Sequence, residues 1–164
     1  IYNLTKGPIA IAKKEAQEAA IREVIPEFDE LKSFSLAPEN GPDSLIFNQG
    51  FKEGKLVGTA VLSYSLNGYD PTPIKVMVGL LPDGVIDNTQ VVQQKETPGL
   101  GTKLETPEFR NQFVDKNPKD FNLKVKNDGG DVDAITAATI SSRAFCEAVE
   151  RAYVSYEKYK EDQQ

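Results

Sequence analysis

Residues 45–66, LIFNQGFKEGKLVGTAVLSYSL, consist of two β-prone runs, Leu45–Lys52 and Leu56–Leu66, joined through Glu53-Gly54. A run rich in β-branched and aromatic residues on each side of a two-residue turn ending in glycine is the signal of a β-hairpin. The pattern repeats downstream. Ile74–Leu80 and Val85–Gln93 are apolar runs separated by Pro82-Asp83-Gly84, a second turn signal. Four strands joined this way form an antiparallel meander most economically. Upstream, Ile9, Ala12, Ala16, Ala20 and Val24 recur at helical spacing after Pro8, with Lys13, Lys14, Glu18 and Glu23 elsewhere, and Pro26 ends that helix. Downstream, Thr106 is placed to cap a short helix with Pro107 at its first position. Phe121–Val125 alternates and predicts one more strand before Gly129-Gly130. Phe145, Val149, Ala152 and Tyr156 then mark the apolar face of a last helix of about five turns. These elements predict an α+β fold, a twisted antiparallel sheet packed with helices, as a single domain over residues 1–164.

Composition narrows the function. The 164 residues suffice to bury about two-thirds of the unfolded surface. Acidic residues outnumber basic ones 25 to 19, for a net charge of −6, and the basic residues form no stripe, which argues against a nucleic-acid partner. With no histidine and one cysteine, the chain has no His-based triad, Cys/His zinc site or internal disulfide. Cys146 lies within the last helix and reads as a structural thiol. Asp128, Asp131 and Asp133 around Gly129-Gly130 lack the remaining ligands of a calcium loop and read as a solvated turn. No run of 18 or more apolar residues is present.

Asp133–Ser142, DAITAATISS, sets Thr139, Ser141 and Ser142 in the first turn of the last helix. The first N–H groups of a helix lack intrahelical acceptors, so two readings are open. The hydroxyls cap the helix themselves. Alternatively, the helix end holds an anion such as a phosphate, with a dipole contribution of roughly 0.3–1 kcal/mol. A second segment, Lys95–Lys103, KETPGLGTK, is a turn with Pro98 at its second position and Gly99 supplying positive φ at its third. Gly99 and Gly101 would let the backbone pass close to a flat ligand, with the apolar side chain of Leu100 between them.

These two strings resemble the signatures of the FMN-binding domain family. Asp133-x-x-Thr136-Ala137-Ala138-Thr139-x-Ser141 is similar to its flavinylation motif D-x-x-[S/T]-G-A-T-x-[S/T], and Glu96–Gly101 is similar to its E-T-P-G-L-G segment. The resemblance extends over residues 1–156, including Leu4-Thr5, Ile9-Ala10, Gly68-Tyr69 and Ile74–Val78. It is faint at residues 38–44 and 116–131. The family includes the G subunit of the Rnf electron-transport complex and the C subunit of sodium-pumping NADH:quinone reductase; the opening LTKGPIAIAKKEA favours the former.

The resemblance implies FMN held through a phosphoester bond to Thr139. Thr136, Ala138, Ile140, Ser141 and Ser142 would then surround the attachment point, and Glu96, Thr97, Gly99, Leu100, Gly101 and Thr102 would lie against the ring or ribityl chain. Asp133 would be read by the flavin transferase that makes the bond. The same resemblance implies a redox subunit rather than a stand-alone enzyme, with other subunits of a membrane complex moving electrons between ferredoxin and NAD as its partners. It places the domain on the outer, periplasmic face of the cytoplasmic membrane, held by a single helix preceding Ile1. The chain opens there without methionine, as a piece of a longer protein would. A relative that has lost flavinylation and serves as a structural module is the rival expectation. The one departure from the motif is Ala137, where the family has glycine: harmless at negative φ, strained in a left-handed turn.

Overall fold

The computed structural model describes residues 17–38 and 41–163. Five strands, β1 (Glu30–Leu36), β2 (Leu45–Lys52), β3 (Lys55–Ser65), β4 (Ile74–Leu80) and β5 (Ile86–Gln93), form one antiparallel sheet in sequence order. The β2–β3 turn places Glu53 and Gly54 at φ 53° and 80°, the positive pair that a two-residue hairpin requires. Gly84 at φ 91° closes the β4–β5 turn, with its N–H bonded to the Leu81 carbonyl at 2.8 Å. The meander thus follows the sequence reading, with an added first strand. β1, ELKSFSL, has no buried residue, so its alternation is too weak to read from sequence. The predicted strand at Phe121–Val125 is absent. Only a bridge between Val125 and Val132 forms, because residues 122–126 exchange backbone bonds with 131–132 across the tight loop at Gly129-Gly130.

The sheet is covered on both faces. Against one lies the helical segment at residues 17–24, whose Ala20, Ile21 and Val24, with Ile25, bury themselves on Ala60, Leu62 and Met77. Pro8, Ile9, Ala12 and Ala16 of the expected helix lie outside the described residues. Close approach here requires Gly79: a Cβ on it would sit 1.8 Å from the Val24 carbonyl oxygen. The other face takes the C-terminal helix, Thr139–Asp162, which lies along β3 and β4. The predicted face of this helix is the buried one, Phe145, Val149, Ala152 and Tyr156 all packing on Val61, Val76 and Val78. Burial of the larger ones, Phe145 and Val149, contributes about 1.5–3 kcal/mol each. Arg151, also buried, stacks over the Tyr64 ring at 4.5 Å, donates to the Tyr64 carbonyl and pairs with Glu147 at 3.0 Å, fastening the helix to β3.

The outer edge of β5 is sealed by an irregular segment: Asp115 donates its N–H to the Ile86 carbonyl at 2.8 Å, and Ile86 donates to the Lys116 carbonyl. Asp115 takes φ 63° to do so. Burial, and secondarily the Asp115 charge, hold the Asp87 carboxyl above its usual range. A folded value above the unfolded one means that ionised Asp87 costs stability at neutral pH, and the cost is relieved as pH falls through the folded value. Asparagine tolerates the same backbone without the charge. Asp115→Asn is therefore expected to stabilise the fold at pH 7 by about 0.5 kcal/mol after solvent screening, or about 1–2 °C in Tm. The gain should shrink on acidification; thermal melts across pH check both.

Candidate functional site

The two motifs meet. Thr97, Leu100 and Gly101 from the loop after β5 and Ala137, Ala138, Thr139, Ile140 and Ser141 from the start of the C-terminal helix line one cleft of about 460 Å³, with Tyr69 at its side. The volume is in the range of cofactor sites. Tyr69, Leu100 and Ile140 are large apolar side chains that stay exposed there, Tyr69 at 70%. An exposed apolar group at a concave site offers contact to a planar ligand more readily than to solvent.

The loop wall is built as its sequence predicts. Leu100 donates its N–H to the Thr97 carbonyl at 3.1 Å across Pro98-Gly99, and Gly99 takes φ 77°. The Gly99 N–H is held by Thr102 Oγ1 at 3.0 Å, which explains where Thr102 points. Gly101 makes room for neighbouring side chains: a Cβ on it would lie 2.4 Å from Glu96 Cβ and 2.7 Å from Ser141 Oγ.

At the helix wall the hydroxyl cluster does not cap the helix. The residue at the cap position is Ala138, and no side chain caps the helix. Ser142 Oγ donates back to the Ala138 carbonyl and accepts the Ile135 N–H at 2.9 Å, while Ser141 Oγ donates to Glu96 Oε1 at 2.6 Å. Thr139 makes neither kind of bond; it is half-buried at the cleft wall. Simple capping by Thr or Ser does not occur. The N–H groups of Thr139, Ile140 and Ser141 begin a 24-residue helix with an alanine in front of them. Such donors, beside a hydroxyl and an apolar wall, suit a phosphate joined to an aromatic ring.

Glu96 does not line the cleft. It is 4% exposed and accepts three hydrogen bonds, from the N–H groups of Tyr69 at 2.8 Å and Asp70 at 3.1 Å and from Ser141. Gly68 allows this, because a Cβ there would lie 3.1 Å from the Glu96 carboxylate. Asp133 and Thr136 face a neighbouring cleft with Lys103, Phe109 and Gln112. The Gln112 side chain clasps the Asp133 backbone, accepting its N–H at 2.7 Å and donating to its carbonyl at 3.1 Å, so the carboxylate projects outward and pairs with Lys126 at 2.7 Å. Asp128 is paired separately with Arg143 and Asp131 accepts from Asn122, so the three aspartates converge on nothing. Burial pushes the Cys146 thiol up to about 12, the state of an inert packing group. The sequence reading did not assign Tyr69 and Gln112. Gly68-Tyr69 was visible as part of the resemblance, whereas nothing local marks Gln112, which acts across 21 residues.

An α+β domain whose cleft joins a glycine-bearing loop to an uncapped helix start is a ligand-binding module. Residues 68–154 match the model of the FMN-binding domain, and the chain belongs to that family. The G subunit of the ion-translocating oxidoreductase complex of Methanosarcina acetivorans is 34% identical over 160 residues, 94% of this chain and 83% of that protein. The G subunit of the same complex from Aliivibrio fischeri strain MJ11 is 31% identical over 175 residues, 98% of this chain and 82% of that protein. The crystal structure of NqrC from Shewanella oneidensis aligns with a TM-score of 0.52 at 22% identity, over 82% of this chain and 66% of that one, a likeness of fold.

Ala137 is the residue of this site under strain. The Ala138 N–H bonds to the Ile135 carbonyl at 2.9 Å, and Ala137, third in that turn, takes φ 63°. The left-handed region costs a non-glycine residue roughly 1–2 kcal/mol. Ala137→Gly is expected to raise stability by about 1 kcal/mol, some 2–4 °C in a melting experiment. An unchanged Tm would mean that the turn relaxes in solution.

Proposed function

We propose that this chain is the electron-carrying subunit of a membrane-bound, ion-translocating ferredoxin:NAD oxidoreductase (Rnf) complex, with FMN attached by a phosphoester to Thr139. The observation that carries the reading is the uncapped helix start at Thr139, set in a cleft shared with the Glu96–Gly101 turn. Thr139 Oγ1 would form the bond to phosphorus and lose its proton, while the transferase's flavin nucleotide donor gives up its departing group. The N–H groups of Thr139, Ile140 and Ser141 would hold the phosphate oxygens. Leu100, Ile140 and Tyr69 would keep water from the ring. FMN, when bound, supplies reversible electron transfer.

The chain's own part is to hold, orient and tune. Asp133, held outward by Gln112, is presented for a flavin transferase to read. Family membership and the relatives named as G subunits of ion-translocating complexes support the choice of complex and partner subunits over the quinone-reductase alternative, for which the likeness is one of fold at lower identity. Residues 1–164 would form one FMN-binding domain on the outer face of the cytoplasmic membrane, tethered by a preceding helix. No helix of the described residues is long and apolar enough to cross a membrane. A covalent bond suits that location, where a dissociated cofactor would be lost by dilution.

Coexpression of an exported form with a flavin transferase tests the assignment. The wild-type band is expected to fluoresce in a denaturing gel and to gain the mass of FMN, and Thr139→Ala to lose both while melting as wild type does. A colourless wild type, or a Thr139→Ala chain that still carries covalent flavin, rejects it.

A further inference from the structure

Glu96 is a buried acid whose bonding is one-sided. All three partners donate to it, two backbone N–H groups and the Ser141 hydroxyl, so every one of these bonds uses its oxygens as acceptors. No lysine or arginine pairs with it among the described residues, although the surface ion pairs of this chain, Lys126–Asp133 and Arg143–Asp128, lie far more exposed. A buried charge without a counter-charge is costly, and hydrogen bonds offset only part of the cost. Its position is equally specific. Tyr69, whose N–H donates to it, and Ser141, whose hydroxyl donates to it, both line the cleft, and a Cβ added to Gly101, in the loop wall, would meet its Cβ at 2.4 Å. The carboxylate therefore sits behind the cleft and under the positive end of the C-terminal helix, where a phosphate would also be drawn.

We propose that Glu96 is a positioning residue with an electrostatic role, tying the cleft walls together and holding negative potential behind them. That potential weakens the chain's hold on free flavin phosphate and lowers the reduction potential of attached flavin. The proposal rests on the reading of the cleft as an FMN site. Its physical basis is that a fixed negative charge opposes a second anion at the helix end and opposes negative charge gained on reduction. Weak affinity for the free cofactor and retention by a covalent bond then belong together, since a bond to Thr139 removes the need for a strong phosphate site.

Glu96→Gln keeps the shape and removes the charge, whereas Ser141→Ala keeps the charge and removes a donor. Two measurements separate the roles. Titration of FMN into each unmodified chain, followed by flavin fluorescence, is expected to show binding about tenfold tighter in Glu96→Gln than in wild type. Redox titration of the flavinylated chains is expected to shift Glu96→Gln upward by about 30 mV, the two-electron equivalent of a tenfold change. Ser141→Ala is expected to stay at the wild-type potential or fall below it, since its carboxylate loses a donor and keeps its charge. A purely structural Glu96 predicts that both variants lose flavin loading together with no upward shift in Glu96→Gln, and that result overturns the proposal. If Glu96→Gln does not fold, a Ser141→Ala potential above wild type overturns it and one at or below wild type supports it. A wild-type chain that takes no flavin by either route overturns the FMN reading itself, an outcome distinct from equal potentials in loaded chains.

Discussion

The three hydrogen bonds converging on Glu96 are the constraint on which the site depends. They join segments that the chain keeps far apart: the loop before β4, the loop after β5 and the first turn of the C-terminal helix, 45 residues further on. Each bond to an ionised buried group contributes about 1.5–3 kcal/mol, and an unsatisfied partner would cost as much. Two glycines, Gly68 and Gly101, exist at the distances this packing demands. Remove the carboxylate and the three segments have no shared partner. The E-T-P-G-L-G signature therefore divides its labour: the glutamate faces inward and assembles the walls, while the leucine faces the cleft.

The sheet was legible in the sequence because its strands are β-prone apolar runs and its turns carry glycine. Leu45–Lys52, Ile74–Leu80 and the two hairpin turns stand where the apolar runs and turn residues placed them. β1 was not legible: an edge strand with no buried residue has no period-two signal. The alternation at Phe121–Val125 had the opposite fate, since its apolar residues fill the core beside Phe113 and Phe145 without a strand beside them to pair with. Of the site, the two motifs were readable, but their meeting was expected from the resemblance alone, since neither string shows it. Nothing in DAITAATISS shows that its serines turn away to the Ala138 carbonyl and to Glu96, which leaves the helix start open. The φ of Ala137 was likewise decided by tertiary structure, and it fell on the strained side.

The two faces of the sheet are finished differently. On one, small residues let the backbone at Val24 and Ile25 come down onto β3 and β4, with Gly58 and Gly79 making the room. On the other, a long helix with alanines at 144, 148 and 152 and large side chains between them packs over valines. The second arrangement aims the helix, because its start is held by Glu96 and its middle by Arg151 on Tyr64. Thr139 is consequently fixed to a rigid element of 24 residues rather than carried on a loop. A redox centre gains from such mounting, since electron transfer depends on a distance that must not wander.

Every strand of the meander pairs with its neighbour in sequence, whereas the final helix must return across the finished sheet before Ser141 can reach Glu96. Thr139 thus acquires its surroundings last. The cleft cannot exist before the C-terminal helix has been made and has docked, and a modifying enzyme that needs both walls would meet only molecules in which this domain is folded. Cofactor loading on this domain would then act as a timestamp of assembly: a flavin-bearing chain is one in which Ser141 has already found Glu96.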